Sequence, residues 1–140
     1  MKISTEAYCA IASFEGFRPT AYKCPSGVWT IGYGHTKGVK KGDMISYQEA
    51  SKLLMRDIEE VEDKLASLGT LTQGQLDSLV SFVFNVGIAK FNNSTLKKKV
   101  IANRFDKSIG KEFKRWIYSK GKVLQGLVKR REWEARRYYE

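Results

Sequence analysis

The sequence predicts an α+β protein in which a small N-terminal antiparallel β-sheet lobe and a larger helical lobe are joined by a long helix. Three stretches indicate this architecture. Residues 16–45 are rich in glycine, threonine and aromatic residues and contain several turn signals, which favours a short twisted sheet. Residues 46–68 carry an apolar stripe of helical period, and residues 70–140 are helical in pattern.

Capping residues and helix breakers set the limits of the first two helices. A helix over 3–15 has Ser4 or Thr5 as its cap and Gly16 as its end. A capping box over 46–49 opens the connecting helix. Apolar side chains then recur at three- and four-residue spacing: Ala50, Leu53, Leu54, Ile58, Val61 and Leu65. This stripe predicts one face packed on the protein core.

The helical lobe is expected to surround one buried helix. Residues 72–86 are apolar almost all round from Leu76 onward, and Gly87 ends the pattern. Three shorter amphipathic helices are predicted after it, over 93–102, 106–118 and 124–139. We expect helix 3–15 to pack with this lobe, so that residues 1–140 form a single domain. Two unequal lobes leave a cleft that suits a long polymer substrate.

The net charge of +10 is concentrated at the C-terminal end. Residues 97–140 contain fifteen Lys and Arg against five Asp and Glu. Such a field attracts polyanions, including nucleic acid, anionic membranes and cell-wall polymers. Two alternatives to an enzyme follow: a nucleic-acid binder, and a non-catalytic wall-binding or antimicrobial module that uses helix 124–139. The basic residues are scattered over several helices without a groove-reading motif, which argues against the first.

The cysteines and the N-terminus indicate the compartment of synthesis. Cys9 and Cys24 are too few for a disulfide scaffold, so we expect free thiols in a reducing environment. The N-terminus lacks the apolar core of a secretory signal, and no transmembrane segment is predicted. We expect Cys9, beside Ile11 and Ala12, to be more protected from solvent than Cys24.

Three side chains that are suited to glycoside hydrolysis fall within one short stretch of the N-terminal sequence. Glu15 ends the first helix, Cys24 begins a predicted hairpin, and Thr30 lies on its next strand. Hydrolysis needs an acid for the leaving oxygen and a second group for the water or the oxocarbenium ion. The apolar helix end beside Phe14 and Phe17 would favour the protonated form of Glu15. By residue type alone, a glutamate at a helix end is more often a solvated surface residue, a lone cysteine is usually a small buried hydrophobe, and a threonine in a strand is usually only a strand former.

The chain resembles the phage-type lysozymes, glycoside hydrolase family 24, over nearly its whole length. The family spacing of a glutamate, an aspartate or cysteine, and a threonine appears as Glu15, Cys24 and Thr30. Four further segments are similar to family motifs: 30–36, 71–87, 91–96 and 126–131. The resemblance implies the lysozyme-like fold. It also implies that Glu15 is the general acid, that Thr30 holds the attacking water and that Cys24 is the second catalytic residue.

The resemblance also implies a set of residues around the substrate. Those expected to line the sugar-binding cleft are Gly34, Thr36, Phe84, Asn85 and Ser94. The single histidine, His35, is expected to form a structural ion pair with Asp57 rather than to act in catalysis. No metal and no cofactor are expected.

Cys24 departs from the commoner family pattern, which has aspartate at this position. A thiol with an ordinary pKa of ~8.5 is mostly protonated at neutral pH, and the negative charge of Glu15 would discourage ionisation further. Cys24 has three possible roles: to orient water, to accept a proton or to form a thioglycoside. Retention and inversion therefore both stay open.

The resemblance implies a phage endolysin that cuts the β-1,4 bond between N-acetylmuramic acid and N-acetylglucosamine. Its substrate would be the glycan strands of peptidoglycan, and nucleic acid would not be a partner. We expect a monomer that stays in the host cytoplasm until a holin releases it to the periplasm and cell wall.

Overall fold

The computed structural model describes residues 1–140 and contains seven α-helices and two small β-hairpins. The N-terminal half contains α1 (Thr5–Glu15), β1 (Arg18–Lys23), β2 (Trp29–Gly32), α2 (Tyr47–Leu65) and a 3-10 turn (Ala66–Leu68). The C-terminal half contains α3 (Gln73–Val86), α4 (Ile88–Asn92), α5 (Thr95–Ala102), α6 (Ile109–Lys114), β3 (Tyr118–Ser119), β4 (Lys122–Val123) and α7 (Gln125–Arg137). The predicted α+β architecture is confirmed.

The β lobe is a single antiparallel hairpin followed by a long loop. Tyr22 pairs with Thr30 and Lys23 with Trp29, and the register is irregular between Arg18 and Tyr22. The loop after β2 returns to the sheet at Met44, which forms an isolated bridge with Thr20. Two strands have no sheet face to bury on their own, so the lobe packs on the start of α2.

The connecting helix α2 begins where the capping box predicts. Ser46 Oγ accepts a hydrogen bond from the Glu49 amide, and the Glu49 carboxylate in turn accepts one from the Ser46 amide. The predicted stripe is buried at Ala50, Leu54, Ile58, Val61 and Leu65, whereas Leu53 is only half-buried. The helix thus joins the β lobe to the core of the helical lobe.

The central helix α3 is buried along most of its length, as the sequence predicts. Every residue from Gly74 to Val83 is buried. The Phe82 ring packs against Phe113 and Trp116, with 5.5 Å between ring centroids in both pairs. Aromatic and aliphatic side chains from α4, α5 and α6 therefore close around this helix.

Helices α1, α3 and α7 are joined at the buried carboxylate of Asp77. The Ser4 amide and hydroxyl, at the start of α1, donate to it at 2.9 and 2.6 Å. Arg137 at the end of α7 donates to it at 2.8 Å. Gly74 permits this close approach, because a side chain there would collide with the Arg137 carbonyl. Helix α1 thus packs with the helical lobe.

Two segments differ from the sequence-based expectation. The short helix α4 was not predicted, and 106–118 is helical only over α6. The β3–β4 hairpin follows α6 and turns at Lys120 and Gly121, both with positive φ. Strands of two residues carry no periodic pattern, so the hairpin had no detectable signal. No helix has the length and apolar character that crossing a membrane requires.

Candidate active site

Glu15, the last residue of α1, lies between Arg130 of α7 and Gly34 of the loop after β2. Gly16 takes φ +70° and donates its amide to Ala12, which stops the helix directly after the carboxylate. The Glu15 side chain is 17% exposed, and its Oε1 accepts a hydrogen bond from Arg130 Nη1 at 2.9 Å. The carboxylate therefore has a buried cationic partner in addition to the apolar neighbours that the sequence suggests.

The β lobe touches Glu15 through Gly34. This glycine has φ +77°, and a Cβ placed on it would lie 3.0 Å from Glu15 Oε2. The two carboxylate oxygens therefore differ, because Oε1 is bound by Arg130 and Oε2 faces the backbone of the β lobe. Glu15 Oε2 has no hydrogen-bond partner within the protein, in contrast to Oε1.

Thr30 and Cys24 lie close together at the tip of the first hairpin. The Cys24 amide and the Thr30 hydroxyl both donate to the Val28 carbonyl, at 3.0 and 3.1 Å. Thr30 is buried, and Cys24 is partly exposed. Because its only proton is used in this bond, the Thr30 hydroxyl can still accept a hydrogen bond from water.

The Cys24 thiol is more acidic than the sequence suggests. Its Sγ lies 2.8 Å from Ser26 Oγ, and the Ser26 hydroxyl, followed by the backbone at Val28, lowers the pKa of Cys24 to about 7. A thiol with that pKa is half ionised at neutral pH. The expectation that Cys24 is mostly protonated was therefore wrong, because the turn supplies hydrogen-bond donors to the thiolate.

Cys9 is exposed, so the expectation that it is the more protected cysteine was also wrong. The buried face of α1 contains Ala7 and Ile11. Cys9 lies two residues from each of them, which places it on the opposite side of a helix with 3.6 residues per turn.

His35 and Asp57 join the β lobe to α2. His35 Nδ1 lies 2.8 Å from Asp57 Oδ2, and Nε2 lies 3.0 Å from the Lys37 carbonyl. Both ring nitrogens thus face oxygen acceptors, and the imidazolium form can donate to both. The histidine fixes the loop after β2 in position and lies in the wall of the cleft.

The expected substrate residues divide among three neighbouring hollows. Gly34, Thr36 and Phe84 line one cavity of about 300 Å³. Asn85 lies in a second, of about 370 Å³, which Trp116 and Tyr118 also line. The four expected residues in these two cavities offer backbone, hydroxyl, amide and aromatic groups.

Ser94 lies in the third hollow and caps a helix. Its hydroxyl donates to the Phe91 carbonyl at 2.6 Å and accepts from the Lys97 amide at 3.1 Å, which starts α5. Both of these bonds hold backbone in place. Ser94 therefore shapes the edge of the cleft through the position of α5.

Sequence reasoning missed the buried arginines of α7. Arg130 and Arg131 lie in a stretch that reads as a solvated cationic helix, yet both are buried, and Arg137 is largely so. The sequence does contain one signal, Glu134, which lies four residues after Arg130 and three after Arg131. These are the spacings of ion pairs within a helix. Part of the C-terminal positive charge is therefore internal and paired.

A small β lobe, a connecting helix and a larger helical lobe form a lysozyme-like fold, the fold of a class of glycoside hydrolases. The phage lysozyme family model matches residues 12–134. The chain belongs to this family, and its function is that of a phage endolysin, or muramidase. The match covers both the β lobe and the helical lobe.

Three relatives illustrate the similarity. An endolysin of Acyrthosiphon pisum secondary endosymbiont phage 1 is 41% identical over 96% of this chain and 95% of its own length. An endolysin of Bacillus phage B103 is 44% identical over 96% of this chain, which spans 52% of that longer protein. The muramidase domain of SpmX from Asticaccaulis excentricus superposes with a TM-score of 0.89 at 34% identity, covering 99% of this chain and 98% of that domain.

Proposed function

We propose that this protein hydrolyses the β-1,4 bond between N-acetylmuramic acid and N-acetylglucosamine in peptidoglycan, with Glu15 as the general acid. The observation that carries this proposal is the placement of Glu15 at the end of α1, bound on one oxygen by Arg130 and facing Gly34 with the other. Protonated Glu15 gives its proton to the glycosidic oxygen while the bond from that oxygen to the anomeric carbon breaks. Arg130 then stabilises the carboxylate that forms.

The attacking water is assigned to Thr30 and Cys24. Thr30 Oγ1 keeps its lone pairs free for that water, because its own proton is donated to Val28. A pKa of about 7 suits Cys24 to act as a general base near neutral pH. In this scheme the thiolate takes a proton from the water, the water oxygen bonds to the anomeric carbon, and the configuration is inverted.

Glycan binding is assigned to the walls of the cleft. Gly34 and Thr36 offer polar contacts from the β lobe, and Phe84 and Asn85 offer an aromatic face and an amide from α3. Ser94 contributes by holding the start of α5. The exposed lysines of the C-terminal third would speed the encounter with anionic wall polymers, an effect that salt weakens.

Release to the wall is assigned to a holin, and the active species is a monomer. Membership of an endolysin family supports the first of these assignments. Expression with and without a holin should give rapid lysis only with it, and sedimentation should give the mass of one chain. Lysis at the same rate without a holin, or a stable dimer, would contradict them.

The bond that is cut is tested on purified peptidoglycan. Digested strands are reduced with borohydride and analysed by mass spectrometry, and we expect muramitol at the new ends. Reduced glucosamine at those ends would show cleavage of the other glycosidic bond and refute the proposal. Turbidity loss of chloroform-treated Gram-negative cells gives the matching cellular assay, and retained clearing without new reducing ends would favour a non-catalytic cationic module.

Substitutions of Cys24 test its role. Cys24→Asp should stay active, because a carboxylate can bind the same water and accept its proton, whereas Cys24→Ala should lose most activity. Cys24→Ser keeps a hydrogen-bonding group but is a far weaker base, so we expect an inactive variant. A Ser variant near wild type would restrict Cys24 to positioning water, and a fully active Ala variant would remove it from the mechanism.

A further inference from the structure

Glu134 on α7 is a fully buried carboxylate that the mechanism above does not use. Its Oε2 accepts a hydrogen bond from Ser81 Oγ at 2.6 Å and lies 3.5 Å from Arg130 Nε. Its Oε1 lies 2.9 Å from Arg131 Nε, as a charge pair without the alignment of a hydrogen bond. One carboxylate therefore contacts two buried guanidinium groups.

The other ends of the same two arginines reach residues of the cleft. Arg130 Nη1 donates to Glu15 Oε1 at 2.9 Å, and Arg131 Nη2 donates to Asn85 Oδ1 at 2.6 Å. We propose that Glu134 is a positioning residue that sets Glu15 and Asn85 through Arg130 and Arg131. The inference rests on the proposed function, in which Glu15 is the acid and Asn85 a sugar contact.

Several hydrogen bonds fix Arg130, and full burial encloses Arg131. Arg130 also donates from Nη2 to the Ser81 carbonyl at 2.9 Å and lies 5.3 Å from the centre of the Phe14 ring. The Arg131 guanidinium lies 5.0 Å from the centre of the Phe82 ring. A guanidinium held on several sides transmits a displacement at one end to its partner at the other, so the position of Glu134 affects both cleft residues.

The buried charges of this cluster are those of Glu134 and the two arginines. Burial lowers the pKa of Arg131 to about 10, so this arginine stays charged at neutral pH. Burial raises the pKa of Glu134, while the guanidinium groups of Arg131 and Arg130 oppose that rise. We assign the ionised carboxylate, because two buried cations without it would have only one counterion.

The test is the change in kcat and in KM for Glu134→Gln on soluble peptidoglycan strands. Displacement of Glu15 should lower kcat several-fold, and displacement of Asn85 should raise KM. Asp77→Asn is the matched control, because Asp77 is also buried, lies on α3 and binds Arg137 of α7 at 2.8 Å. It should lower the melting temperature and leave kcat and KM unchanged when they are measured well below that temperature.

Unchanged kcat and KM in a folded Glu134→Gln variant would overturn the proposal, as would an equal change in Asp77→Asn. If Glu134→Gln does not fold, Ser81→Ala is the deciding variant, because it removes the 2.6 Å donor to Glu134 and the 3.3 Å acceptor of Arg130 Nε and leaves the charges intact. We expect a several-fold lower kcat for it, and wild-type kcat and KM would overturn the proposal. Glu15→Gln is assayed alongside. An active Glu15→Gln variant refutes the proposed function, whereas an inactive one together with wild-type kinetics of Glu134→Gln refutes only the positioning role.

Discussion

Replacing Gly34 with alanine tests the contact between the β lobe and Glu15. The added Cβ would lie 3.0 Å from Glu15 Oε2, whereas ordinary contact begins near 3.4 Å. The carboxylate must therefore move by about 0.4 Å. At a loss of about 10² in rate for each 1 Å of misplacement, kcat should fall roughly sixfold.

Gly38→Ala is the control for this variant. Gly38 has φ +72°, close to the +77° of Gly34, and a Cβ there would meet nothing within 4 Å. Both variants place alanine in the left-handed region, at a cost of about 1 to 2 kcal/mol each, so both should melt several degrees lower. Only Gly34→Ala should lose activity when reducing-end release is measured well below both melting temperatures. Equal kcat in the two variants would refute the contact.

Two further predictions use other groups in the chain. In a Cys9→Ser background, Ser26→Ala should raise the pKa of Cys24 above about 7. Alkylation of Cys24 at neutral pH should then slow by about fivefold for each unit of pKa increase. An unchanged midpoint of the pH–rate curve would contradict this prediction. The Ser108 amide and hydroxyl lower the pKa of Asp106, so their stabilising effect is present above pH ~3.9 and is lost as pH falls through the lower folded value. Thermal melts of Ser108→Ala should therefore approach wild type toward pH ~2, whereas a gap that does not vary with pH would contradict this.

Elements with local signals were predicted well. Helix α2 begins with the capping box at 46–49, and α3 begins with the capping residue Thr72. In each helix the apolar face follows the cap within a few residues, so the sequence itself shows where the helix begins. The β3–β4 hairpin has too few residues to show a period, and its backbone bonds become visible only in the folded chain.

The site could be predicted only where its residues form a linear motif. Glu15, Cys24 and Thr30 stand at a characteristic spacing, and all lie within the first 30 positions. The partner of Glu15 is 115 residues away, and the spacing of Glu134 from Arg130 indicates an ion pair within α7 but not the contact of Arg130 with Glu15. The acidity of Cys24 likewise depends on how the turn orients Ser26, which residue order alone does not specify.

The central claim is tested most directly by reducing-end release from purified peptidoglycan by Glu15→Gln. Glutamine has the same shape and can still accept the Arg130 hydrogen bond, but it cannot donate the proton. General acid catalysis typically contributes 10²–10⁴-fold, so we expect a loss of at least about a hundredfold in a folded variant. Glu6→Gln, on the same helix with its exposed side chain 3.7 Å from Arg137, should keep wild-type activity. Retention of more than about a tenth of wild-type activity by Glu15→Gln would contradict the assignment of Glu15 as the acid.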